Sequence, residues 1–275
     1  MHHPTAAGRR NAAALLLLIA LSLGAASATP VPPAAPPGQA TQMDNEHLPW
    51  GQILSRYVVA RPDGLNLFAY SRVTQADRAL LKQYIATLEA TRVSALPRDA
   101  QMAFWINLYN ARTIDIVLDH YPVKSIRDIS LGGLFTIGPW KQKNTTVEGR
   151  QLSLDDIEHG ILRRQWKDPR IHYAVNCASI GCPNLASKPF SAKSLEAMLD
   201  EGARSYVNHP RGVSVKNGKL TISRIWQWYR EDFGSNDADV IRHLSAYAAP
   251  GLQRELASLR EIDGYAYDWN LNDAK

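Results

Sequence analysis

Only two cysteines, Cys177 and Cys182, occur in the 275 residues. So few thiols exclude a disulfide-dense small scaffold, and their spacing is not the C-x-x-C of a conventional dithiol centre. Also lacking are a glycine-rich phosphate loop, paired metal-ligand motifs and a G-x-S-x-G nucleophile elbow. The classes of chemistry that use them have no footing here. Past the first 28 residues no apolar run approaches the roughly 20 residues that a membrane-spanning helix needs. Charge of one sign is scarce as well. Lys and Arg number 31 against 26 acidic residues. Setting aside Arg9 and Arg10 with the leader described below leaves 29 against 26, too small an excess for a nucleic-acid footprint. The sequence pI of about 9.2 reads as ordinary solubilising charge.

What is present begins with a leader. Arg9 and Arg10 precede AAALLLLIALSLGAA, and Ala26-Ser27-Ala28 supplies small residues for cleavage. This pattern predicts a signal peptide over residues 1–28, cut after Ala28, and an exported protein of the periplasm or medium. TPVPPAAPPG follows, and its prolines predict an extended, disordered linker over 29–45. Residues 46–275 then hold neither a low-complexity run nor a repeat, and read as a single globular domain.

Its class is α+β, helix-dominated, with a few short strands. Trp50, Ile53, Leu54 and Tyr57 keep helical spacing, as do Leu80, Leu81, Tyr84, Ile85 and Leu88. Residues 101–118, QMAFWINLYNARTIDIVL, are apolar around nearly the whole circumference and predict a central helix. Ser153 and Asp156 form a capping-box pattern opening a helix to about Trp166. IHYAV at 171–175 suits a short buried strand. Leu195, Leu199, Tyr206 and Val207 mark a further helix. GVSVKNGKLTIS alternates on both sides of Asn217-Gly218, the pattern of a hairpin near 212–223. Ile225, Trp228 and Tyr229 return to helical spacing, with a stop at Gly234.

The candidate site centres on HYAVNCASIGCP. In an oxidising compartment Cys177 and Cys182 are candidates for a disulfide, worth only about 2 kcal/mol across so small a loop. The alternative is a nucleophilic Cys177 with His159 or His172 as its base. On a regular strand His172 and Cys177 point to opposite faces, so the two meet only if the chain turns at Asn176. His159 projects from the polar side of its helix, near Asp155 and Arg163. Asn107 and Asn110 stand one turn apart, and a buried amide needs partners, so this helix face must meet a polar loop. A zinc site at the cysteines lacks a second close pair of ligands, and no metal or cofactor is expected.

AFWINLYNA, GRQLSLDDIEHGILR, DPRIHYAVNCASIGCP and YDWNLN together resemble the family called domain of unknown function 547, over about 100–230 plus the YDWNLN segment. The matching positions are Phe104, Asn107, Asn110, His159, Arg163, His172, Asn176, Cys177, Ser179 and Cys182. Such domains occur in exported bacterial proteins and in plant proteins with a coiled-coil segment. The leader and the missing coiled coil imply the exported bacterial type. Cytosolic plant relatives carry similar NCAS–CP loops, which implies a role for the loop beyond oxidation. The resemblance brings no established activity.

Three functions therefore stay open. One is a binding domain for a small molecule or peptide, with Asn107, Asn110, Arg163, Asn176 and Ser179 around the ligand. Another is a thiol hydrolase or acyltransferase using Cys177 with His159 or His172. The third is a thiol–disulfide redox protein.

Overall fold

The computed structural model describes residues 39–129 and 137–275. The leader, and the linker as far as residue 38, lie outside the described residues. The linker boundary needs correction. A helix, α1 (Gln39–Glu46), begins inside the span expected to be linker, and its Met43 is buried in the core. The prolines end at Pro37, and QATQMDNE offers an apolar side chain with nothing to break a helix.

The chain then builds α2 (Leu48–Tyr57), a small β1–β2 ribbon (Val58–Ala60, Asn66–Phe68), α3 (Gln75–Ala90) and α4 (Arg98–His120). Thr74 caps α3 by accepting from the Asp77 amide. α4 is buried on almost every side, as its sequence predicts. Next comes the β3–β4 ribbon (Thr145–Val147, Arg150–Leu152). Ser153 and Asp156 exchange the two bonds of a capping box, at 2.7 and 3.1 Å, as expected. The helix they open is not α throughout. Asp156–Leu162 is π-helical, with the Arg163 amide bonded to the Glu158 carbonyl, before a last turn of α5 (Arg163–Trp166). A π turn holds one residue more than an α turn. Leu154, Ile157, Ile161 and Leu162 are buried.

Residues 171–175 are not a strand. Pro169–Tyr173 is a 3-10 turn, opened by Asp168 accepting from the Arg170 amide. Its amides are satisfied locally, Ala174 and Val175 both bonding to the Ile171 carbonyl. The signal was Asp168-Pro169, a cap followed by a proline in the first turn. A short apolar run is ambiguous by periodicity alone. Burial was read correctly, because the turn runs between two apolar clusters: Ile171, Ala174 and Val175 belong to the one around α2–α4, Tyr173 to the other.

The second cluster is formed by α6 (Leu195–Val207), the hairpin β5–β6 (Val213–Lys216, Lys219–Ser223), α7 (Ile225–Trp228), α8 (Arg230–Phe233), α9 (Asp237–Tyr247) and α10 (Pro250–Ser258). Asn217 and Gly218 both have positive φ, as the expected hairpin turn requires. β7 (Gly264–Ala266) adds to β6 in parallel, which no local pattern announced. Helices thus dominate an α+β domain whose sheets are small. Among the described residues no helix is long and apolar enough to cross a membrane.

Candidate functional site

The cysteine loop is held from both sides. From α4, Asn110 donates to the Ala174 carbonyl at 2.9 Å and accepts from the Asn176 amide at 2.8 Å. Asn176 in turn accepts from the Ala178 amide and donates to the Pro183 carbonyl. Ala178 sits at φ 58°, a left-handed conformation that a non-glycine residue adopts only when its surroundings impose it. From the other side comes YDWNLN. Its backbone accepts from the Ile180 and Gly181 amides, at Asn270 and Asp268, and the Asn272 amide donates to Ala178. Gly181 serves close approach, since a Cβ there would lie 2.7 Å from the Asp268 nitrogen.

Asn107 does not touch this loop. Its amide brackets Phe190, donating to the carbonyl at 2.8 Å and accepting from the N–H at 3.0 Å. Both asparagines are fully buried with backbone partners. Asn110 therefore fixes the cysteine loop and Asn107 the backbone at Phe190, and neither lines the cleft at Cys177, where a binding role was expected of both.

Cys177 and Cys182 are free thiols, their sulfurs 3.0 Å apart. Cys177 Sγ, half-buried, also lies 3.1 Å from the Tyr267 hydroxyl and 3.3 Å from Ser179 Oγ. Hydrogen bonding from Cys182 lowers the Cys177 pKa; burial opposes this, and Ser179 and Tyr267 reinforce it. Burial pushes the Cys182 thiol well up. The pair is thus unequal, with one sulfur favouring the thiolate and its neighbour protonated. Arg163 is not among the causes of the shift. In the reduced protein, Cys177 alkylation should level off at a lower pH than that of a free thiol. Tyr267→Phe and Ser179→Ala should each move the profile upward. A profile equal to that of free cysteine would show these contacts to be inert.

Among the described residues no histidine hydrogen-bonds Cys177. His172 is buried, with Nε2 2.6 Å from Asp232 Oδ2, Nδ1 3.7 Å from Glu158 Oε1, and its ring stacked on Tyr229 at 4.2 Å. Both ring nitrogens face carboxylates, which argues against His172 as the base for Cys177. Burial opposes ionisation of Asp232, but bonds from His172 and Arg163 outweigh it and hold the carboxyl at about 2. Arg163 donates to Asp232 at 2.5 Å and to Glu231 at 2.6 Å, with its guanidinium over Tyr229. It clamps α5 to α8. His159, half-exposed, lies 3.2 Å from Arg163 Nη1 and 3.9 Å from Asp155.

A cleft of about 460 Å³ gathers these parts. Cys177, Cys182, His159 and His172 line it. Asn107, Asn110, Arg163, Asn176 and Ser179 do not line it and serve as its frame. The remaining wall is largely aromatic and was missed: Tyr109, Trp140, Trp228, Tyr229, Tyr267 and Trp269, with Glu158 and Asp155 between them. Tyr267, Trp269 and Trp228 pack ring against ring at 4.6–5.5 Å. The available signal was the aromatic density of WQWYREDF and YDW, beyond what a helical stripe needs.

Residues 93–207 match the family model described as protein of unknown function, DUF547. The DUF547 segment is shorter than the expected 100–230 at its far end. It holds Asn110, the π segment and both cysteines, but not Tyr229, Asp232 or Tyr267. No curated protein and no solved structure matches the chain.

Proposed function

We propose that the protein is exported to the periplasm or medium and binds a small molecule or peptide group in this cleft. One observation carries the reading: a cleft of about 460 Å³, within the usual range for organic ligands, has several aromatic walls and a few polar groups converging on Cys177. Aromatic walls supply contact area at low entropic cost, and the cysteine loop supplies a rigid floor. Ligand-detected NMR with a collection of small aromatic and aliphatic fragments tests it. Fragments should bind the reduced protein with roughly millimolar Kd and lose that binding once Cys177 is blocked by N-ethylmaleimide. Fragment binding that is absent, or indifferent to the block, sinks the reading.

A thiol hydrolase or acyltransferase is the second reading, favoured by the lowered pKa of a half-buried Cys177. Its base would be His159, since the nitrogens of His172 are engaged. Mass measurement after alkylation, with and without reductant, separates the two. A Cys177–Cys182 bond that resists mild reductant removes the hydrolase and leaves the binding domain.

A further inference from the structure

Among the groups that line the cleft, Glu158 is a carboxylate, 6% exposed, that no direct hydrogen bond engages among the described residues. Within ion-pair range lie His172 Nδ1 at 3.7 Å and His159 Nδ1 at 3.9 Å, both beyond hydrogen-bond distance. His172 is already committed through Nε2 to Asp232, and His159 approaches Arg163 and Asp155. Lys141, the other basic residue of the lining, is exposed and acts on Asp155. Arg163 is saturated by Asp232 and Glu231. Glu158 lines the cleft, so a donor present there, water or a ligand, can reach its carboxylate.

The rings around it narrow its chemistry. Trp140, Trp228, Trp269, Tyr229 and Tyr267 present π-systems to the same space, and ring faces attract cations. A buried carboxylate inside an aromatic box is complementary to an organic ammonium. No group of three or more His, Cys, Asp or Glu side chains with metal-holding geometry occurs among the described residues. The donor set therefore favours an ammonium over a metal ion. We infer that the cleft recognises the ammonium group of an amine-bearing ligand, with Glu158 as its counter-ion and the tryptophans and tyrosines as its walls. The inference rests on the ligand-binding reading above and names the class of ligand.

The test compares probes of one shape and different charge: benzylamine, benzyltrimethylammonium and benzyl alcohol. Binding is followed by ligand-detected NMR, and only the part abolished by N-ethylmaleimide at Cys177 is counted. At least one ammonium probe should bind wild type about 10-fold more tightly than the alcohol. Glu158→Gln should erase that preference, so that the ammonium probes and the alcohol bind alike. Trp228→Ala, at a ring 40% exposed and so outside the core, should weaken the ammonium probes most. Equal or tighter binding of the alcohol to wild type overturns the ammonium inference and leaves the binding reading intact. A preference that survives in folded Glu158→Gln overturns it too. No cleft-specific binding by any probe at millimolar concentration overturns both readings. If Glu158→Gln fails to fold, wild-type discrimination and Trp228→Ala decide the matter.

Discussion

Asn110→Ala is expected to lower stability by about 3 kcal/mol, read as a shifted urea midpoint with an unchanged slope. The change strands the Ala174 carbonyl and the Asn176 amide, both buried and, among the described residues, both paired through this side chain. Each stranded group costs about 1–3 kcal/mol. Asn107→Ala should cost a similar amount, because it strands both polar groups of Phe190. The two variants should differ at the thiol. Asn110 fixes the approach to Cys177, so its loss should change the alkylation rate, whereas loss of Asn107 should not. A stability cost under 1 kcal/mol for Asn110→Ala would mean that water or a rearranged loop replaces its bonds.

Acidification from pH 7 to pH 5 should remove about 4 kcal/mol of stability, through one buried and one half-buried histidine. Burial holds His47 and His243 at about 4, against 6.5 for the free side chain. His47 Nδ1 meets the Tyr84 hydroxyl at 2.8 Å, and His243 Nε2 meets that of Tyr173 at 2.7 Å. The unfolded chain takes up protons below pH 6.5 while the folded chain does not, so stability falls as pH drops. The loss continues to about pH 4, where the folded histidines also protonate. At pH 5 each contributes about 2 kcal/mol of it. Asp232 and Asp156, held at about 2, add stability that is lost only below pH 3.8, outside this window. Denaturant unfolding at a series of pH values measures the slope, and His47→Gln with His243→Gln should flatten it. A double variant as acid-labile as wild type would place the effect elsewhere.

Elements carried by local pattern were legible in the sequence. α4 was visible because an all-round apolar helix has one environment, and the hairpin because Asn-Gly admits one turn type. Asn110 was found because a buried amide demands a partner. Its neighbour Asn107 raised the same demand, but periodicity could not say which backbone would answer it. Long-range closure was out of reach. Asp232 meets His172 across 60 residues and Tyr267 meets Cys177 across 90, and neither pairing leaves a trace in spacing. The π segment was invisible for a different reason. DIEHGIL carries α-helical periodicity, and the extra residue per turn is a decision of the packing around it.

The contact between YDWNLN and the cysteine loop also sets a timetable for synthesis. Tyr267 emerges about 85 residues after Cys182, which at ordinary elongation rates is roughly 5–20 s. During that interval the Ile180 and Gly181 amides lack their carbonyl partners, and Cys177 has Ser179 beside it but not the Tyr267 hydroxyl. The nascent protein thus carries two unshielded sulfurs before it owns a cleft. Whatever oxidants or thiols it meets then act on chemistry that the finished molecule no longer has.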